Sequence, residues 1–192
     1  WLGQNVKFFE EIDSTNNEVR RMAEQGAPEG TVLIAESQTA GKGRLGRHFT
    51  SPPGTGIYFS LLLRPHCTAE KSLFITTTAA VAVCEAIEQV TGLNPQIKWV
   101  NDVYLNEKKV CGILTGGVFN LESSSLDYAM LRVGINIDRP KDGFPEEIAS
   151  IAGTVFSKTK VILKIVCKSN GLYGTIPKPQ PCNRQTSRAN VF

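Results

Sequence analysis

Apolar residues recur along the chain in two rhythms, and the changes between them outline its elements. Val6 to Phe9 reads as a short strand. After Ser14-Thr15-Asn16, the residues Val19, Met22 and Ala23 fall on one helical face, with Gly26 as a stop. Thr15 with Glu18 has the spacing of a capping box at the start of that helix. Thr31 to Glu36 is a buried strand, and Gly56 to Leu63 is a second, ended by Arg64-Pro65. From Ala69 to Val90 runs the longest helical pattern, followed by Gly92. It is almost apolar all round between Leu73 and Ala86, which predicts a core helix under a sheet. Ile97 to Leu105, Lys109 to Thr115 and Tyr128 to Ile137 are further strands, the first two joined by a turn at Asn106-Glu107-Lys108. Asp142 to Glu147 opens a short helix with Pro145 in its first turn.

At 192 residues the chain fits one domain with a substantial core, with room for an appendage. No apolar run approaches the roughly 18–20 residues needed to cross a bilayer. Five cysteines (Cys67, Cys84, Cys111, Cys167 and Cys182) lack C-x-x-C spacing, which argues against zinc and against a disulfide framework, and for a reducing cytoplasm. With only His48 and His66, histidine metal sites and a Ser-His-Asp hydrolase are disfavoured. The net charge of +3 is divided unevenly. Residues 155–192 hold seven of the 21 cations and none of the 18 acids, so residues 1–154 carry −4. A body of that sign does not look like a nucleic-acid binder. The chain starts at Trp1, which leaves an upstream segment open.

Chemistry concentrates in Gly41-Lys42-Gly43-Arg44-Leu45-Gly46-Arg47, directly after a predicted strand. The glycines let backbone approach a ligand, and Lys42, Arg44 and Arg47 offer charge-assisted hydrogen bonds to an anion. The string matches G-x-G-x-x-G, but the fingerprint requires a helix after its last glycine, and Pro52-Pro53 follow instead. No carboxylate stands about twenty residues on, where a dinucleotide site places one. A P-loop is excluded by the missing Gly-Lys-Ser/Thr. The residues alone leave two readings: a flap whose side-chain cations hold a phosphate, and a solvated basic loop.

Other stretches carry similar pairs of readings. Ser14-Thr15-Asn16 suits helix capping, yet three small polar side chains exceed what a cap needs and could grip a small polar ligand. Lys98 lies in an apolar strand, where a lysine without an anionic partner is costly. It either pairs with Asp102 structurally or faces an anion in a cleft, with Asn101 and Asp102 orienting the site. Gly112 within a strand suggests close approach of a ligand or another backbone.

Five segments, Ser14-Thr-Asn16, Gln38 to Arg47, Lys98-Trp-Val-Asn-Asp102, Lys109 to Leu114 and Gly134-Ile-Asn136, together resemble the biotin protein ligases in order and spacing. The resemblance runs over roughly residues 5–153. It implies an α+β fold: a mixed β-sheet with packed helices, related to class II aminoacyl-tRNA synthetases and lipoate ligases. It also implies a two-step, AMP-forming ligase, a biotin–[acetyl-CoA-carboxylase] ligase. Biotin and ATP, with Mg²⁺, would give biotinyl-5′-AMP, and a lysine of a biotin carboxyl-carrier domain would then receive biotin. By position, the resemblance assigns biotin contacts to Ser14, Thr15, Asn16, Gln38, Lys42, Gly43, Arg44, Lys98 and Gly112. It assigns adenylate contacts to Gly41, Lys42, Gly43, Arg44, Arg47, Asn101 and Asn136, and catalytic roles to Lys98 and Arg44, with no residue set aside for a metal. Partners are then biotin, ATP and the carrier domain, with no membrane and no nucleic acid for this segment, a cytoplasmic location, and a homodimer left open.

The chain also departs from the family. Lys42, Phe49, Val100, Cys111 and Gly116 stand where arginine, tryptophan, proline, glycine and glutamate are usual. Residues 1–157 match a catalytic domain. Residues 158–192 form an atypical basic tail in place of closing helices and an SH3-like domain. Lys158 to Lys168 fits a basic amphipathic helix or a strand, Thr175 to Cys182 a proline-rich linker, and a shifted reading frame or replaced terminus would account for the missing acids. Two alternatives to the ligase stay in view: a lipoate-type ligase, and a non-catalytic biotin or adenylate binder.

Overall fold

A computed structural model describes residues 3–65, 67–120 and 125–156. The expectations for the tail from residue 158 lie outside the described residues. Seven strands form one sheet: β1 (Asn5–Ile12), β2 (Thr31–Gln38), β3 (Gly56–Leu63), β4 (Gln96–Lys98), β5 (Asp102–Leu105), β6 (Lys108–Asn120) and β7 (Ser125–Asn136). Their spatial order is β1-β2-β3-β7-β6-β5-β4. β1 and β2 run parallel and every other neighbour pair is antiparallel. The helices are α1 (Thr15–Glu24), α2 (Ala69–Thr91) and the short α3 (Glu146–Ala149). The sheet is therefore mixed and the fold α+β, as the resemblance implied.

Alternation along each strand divides the sheet into two faces. On one side Val32, Leu61, Leu131, Val133 and Ile135 pack with Ala80, Val83, Ala86 and Ile87 of α2. On the other, Leu33, Leu62, Tyr128 and Met130 pack with Val19, Met22 and Ala23 of α1. α1 covers only part of its face. Ser60 and, on β7, Arg132 and Gly134, together with Gly112 on the neighbouring β6, are left for a loop to cover. The turn between β5 and β6 is a tight one, with Asn106 and Glu107 at φ 48° and 62°, a combination that suits a two-residue hairpin.

Two expectations about α2 need correction. It is not buried all round: Leu73 and Phe74 are 71% and 68% exposed, because a helix crossing a sheet offers it one stripe and turns the rest outward. By length and composition Glu70–Thr91 is also apolar enough to cross a membrane, contrary to the reading that no such run exists. A cleft of about 490 Å³ lies between α2 and the sheet. Its lining, including Leu61, Phe74, Ala79 and Val83, is almost wholly apolar, so it offers no convergent polar groups for chemistry.

Leu62 is fully buried between sheet and α1. Leu62→Ala is expected to cost about 2–5 kcal/mol in urea unfolding, while Leu73→Ala on the exposed side of α2 stays within about 0.5 kcal/mol. Equal losses would contradict this assignment of faces.

Candidate functional site

The polar end of the α1-side face is organised by Gln38, the last residue of β2. Its Oε1 accepts from the backbone N–H of Thr15 at 3.0 Å and from the Thr15 hydroxyl at 3.1 Å. Its Nε2 donates to Ser51 Oγ at 2.9 Å, and Ser51 donates onward to the Phe49 carbonyl at 3.1 Å. Ser60 Oγ donates to Thr15 Oγ1 at 2.9 Å. Thr15, Gln38, Ser51 and Ser60 are all buried.

The capping box is therefore not formed. Ser14, extended at φ −163°, is the N-cap and makes no side-chain cap bond. Thr15 spends its hydroxyl on the Gln38 network, and Glu18 binds Arg21 at 2.7 Å. Ser14 Oγ and Asn16 Nδ2 are buried without a hydrogen-bond partner. Asp13, just before them, has its carboxyl held below the usual range, chiefly by the Asn17 amide donating at 2.8 Å.

The glycine loop folds back across the sheet. Phe49 N–H donates to the Gly41 carbonyl at 2.8 Å, and Gly43 N–H to the Arg47 carbonyl at 2.7 Å. A single 3-10 turn spans Arg44–Gly46, with Leu45 and Gly46 at φ 56° and 73°. No helix follows Gly46, as the prolines predicted. Gly41 is buried, and a side chain there would collide with the Phe49 carbonyl oxygen. The Phe49 ring lies across two more glycines: added Cβ atoms at Gly112 and Gly134 would fall 3.0 and 2.7 Å from it. Gly112 does mark a close approach, but of the Phe49 side chain rather than of a second backbone.

Arg44 Nη1 donates to Asn101 Oδ1 at 2.8 Å, Asn101 Nδ2 to Asp102 Oδ1 at 2.8 Å, and Lys109 Nζ pairs with the same carboxylate oxygen at 2.7 Å. This chain ties the loop to β5 and β6 along one wall of a cavity of about 320 Å³. Arg47, Phe49 and Asn136 also line it, closed on the far side by Phe144, Ile148 and Ile151. Asn136 donates to the Gly153 carbonyl at 3.1 Å. The structure thus brings Gly43, Arg44, Arg47, Asn101 and Asn136 around one cavity, and Ser14, Thr15, Gln38 and Gly41 into the adjacent polar floor.

Lys42 and Lys98 fall outside both groups. Lys42 is exposed. Lys98 is also exposed, with its amine 5.3 Å from the centroid of the Tyr104 ring. The reading in which Lys98 pairs with Asp102 is incorrect, because Lys109 on the neighbouring strand occupies that carboxylate. Sequence reasoning also missed Ser51, Ser60, Lys109 and Arg132. Arg132 was open to the test applied to Lys98, since it is a cation amid an apolar strand, and it is far more deeply buried.

Comparison with known proteins places these features in context. The model of the biotin/lipoate A/B protein ligase family matches residues 8–136, which include both groups. The bifunctional ligase/repressor BirA of Bacillus spizizenii is 40% identical over 151 residues, covering 79% of this chain and 46% of that protein. The biotin–[acetyl-CoA-carboxylase] ligase of Paracoccus denitrificans is 35% identical over 136 residues, covering 70% and 53%. The solved structure of biotin protein ligase from Aquifex aeolicus in complex with biotin and ATP superposes with a TM-score of 0.70 at 34% identity, covering 88% of this chain and 69% of that one. The chain spans about half the length of the curated relatives it matches.

Gln38→Ala should destabilise the fold by about 1–3 kcal/mol in urea unfolding, because it strands the Thr15 N–H and removes the donor to Ser51 Oγ. A loss below about 0.5 kcal/mol would mean that the network is not held as described.

Proposed function

The chain belongs to the biotin/lipoate A/B protein ligase family, and from that premise we propose that it is the catalytic part of a biotin protein ligase. It joins the carboxyl of biotin to the α-phosphorus of ATP, releasing pyrophosphate, and passes the biotinyl group to a lysine of a biotin carboxyl-carrier domain. The observation that carries this reading is the meeting of the buried hydroxyl–amide floor and the cation-lined cavity at Gly41 and Phe49.

The floor suits a small neutral polar ring. Ser14 and Asn16 keep unpartnered polar atoms there, beside the hydroxyls and amide fixed by Gln38. The cavity suits a nucleotide: Arg44 and Arg47 line it and would face the phosphates, and Asn101 and Asn136 offer amides along the wall. Lys42 and Gly43 belong to the covering loop, and Gly112 leaves room under the Phe49 ring. Adenylation builds charge at phosphorus, and Arg44, already oriented by Asn101, stabilises it without further reorganisation. Lys98 starts outside the cavity, so its place where carboxyl meets phosphate requires its side chain to leave Tyr104.

Among the described residues no cluster of three metal-ligating side chains exists. Asp102 is, among the described residues, the one carboxylate lining the cavity, and it is paired with Lys109. Mg²⁺ therefore fits as an ion that would be carried in on the nucleotide phosphates, where it would offset the charge of the leaving pyrophosphate. The loop, folded over the sheet, shields the mixed anhydride from water. The acceptor lysine must lose its proton, which at neutral pH costs about 4.6 kcal/mol from a pKa near 10.4.

The 192-residue chain, given biotin, Mg·ATP and a carrier domain, is expected to label the carrier and release pyrophosphate, with lipoate a poor substitute. A chain that neither binds biotin nor labels the carrier would overturn the reading. Arg44→Ala should slow pyrophosphate release by about 10²-fold while leaving stability within about 0.5 kcal/mol, because its side chain is solvent-exposed. Unchanged half-reaction kinetics in that variant would remove Arg44 from the chemistry.

A further inference from the structure

Arg132 takes part in none of the hydrogen bonds described above. Its Cα is in register with Ser60 on β3 and Leu114 on β6, near the middle of the sheet on the α1 side. It is 3% exposed, and its Nε and Nη2 are buried without a hydrogen-bond partner. The guanidinium carbon lies 4.9 Å from the centroid of the Phe49 ring. A Cβ added at Gly41 would fall 3.4 Å from Nη2 and 3.0 Å from Ser51 Oγ. Arg132 therefore stands where the Gln38–Ser51 floor meets Phe49, a wall of the second cavity.

The Phe49 ring face offsets part of the charge, but Nε and Nη2 are left without a hydrogen-bond acceptor. Burial lowers the Arg132 pKa to about 10, which still leaves the group charged at neutral pH. Among the described residues the groups that favour its cationic form are the Cys111 thiol and the Tyr58 phenol, and burial pushes the pKa of each upward, so neither supplies a negative charge at neutral pH. A buried cation with two of its nitrogens lacking an acceptor is expensive to keep. An anionic ligand would supply the missing acceptors. Nε and Nη2 form one edge of the guanidinium, the edge whose two parallel N–H groups match the two oxygens of a carboxylate.

We propose that Arg132 is a specificity-determining residue that receives the carboxylate of the acyl substrate and holds it at the join between the polar floor and the nucleotide cavity. This rests on the reading of the cleft as an acyl-adenylating site. The ligand class is a small neutral polar head carrying a free carboxylate, and the site discriminates against the same head without its charge.

Calorimetric titration of the wild type and Arg132→Met with biotin and with its alcohol analogue tests this directly. The wild type is expected to prefer biotin by about tenfold or more, as one charge-assisted pair implies. Arg132→Met should bind the alcohol as the wild type does and lose the preference, and Arg132→Lys should recover part of it. Ligand-free Arg132→Met should melt no lower than the wild type, because an apolar chain replaces an unpartnered charge. The inference is overturned if Arg132→Met keeps the preference, or if it loses both ligands equally. It is also overturned if both variants melt well below the wild type, since Arg132 would then be structural. A wild type that binds neither ligand refutes the reading of the cleft, and this inference with it. A wild type that binds both, with a preference unmoved by the variant, refutes the inference alone.

Discussion

A buried side-chain amide has to be satisfied at both ends, and the way Gln38 meets that demand organises the cleft. Its carbonyl end fixes the first residue of α1, and its amino end fixes Ser51 on the returning loop. Through Thr15 it also reaches Ser60 on β3. One side chain thus holds a strand end, a helix start, a loop and a neighbouring strand in mutual register. Low dielectric strengthens each of these bonds and makes any one of them costly to leave open. The loop that carries Arg44 and Phe49 owes its path to this anchor on one side and to Asn101 on the other.

The glycines complete what the amide begins. Gly41 lets the Phe49 carbonyl lie against the loop, and Gly112 and Gly134 let the Phe49 ring lie flat on the sheet. The ring then serves both halves of the cleft, walling the cation-lined cavity and facing the Arg132 guanidinium. Shared walls of this kind suit a reaction that joins two substrates, since they fix the distance between the two bound ends.

Much of this was legible in the sequence for identifiable reasons. β3 was read with its observed bounds because an apolar run sits between Gly56 and Arg64-Pro65, and α2 to within one residue because Gly92 stops it. The loop was read as non-helical from Pro52-Pro53 alone. The errors share a cause: local spacing cannot say which neighbour a side chain finds. Thr15 and Glu18 are spaced for a capping box, but Gln38 arrives from 23 residues away and takes the hydroxyl. Lys98 is in register with Asp102, yet Lys109 reaches that carboxylate first from the adjacent strand. α2 looked buried all round because composition does not reveal which faces of a helix have a partner. Arg132 was missed although the cost of a buried cation in an apolar strand pointed to it.

The central claim is that one cleft joins a carboxylate to the α-phosphorus of ATP. Mass spectrometry of the nucleotide product, formed from biotin and Mg·ATP without any acceptor, tests it most directly. The account predicts biotinyl-AMP with pyrophosphate. ADP with a biotinyl phosphate, which would require attack at the terminal phosphorus, would contradict it.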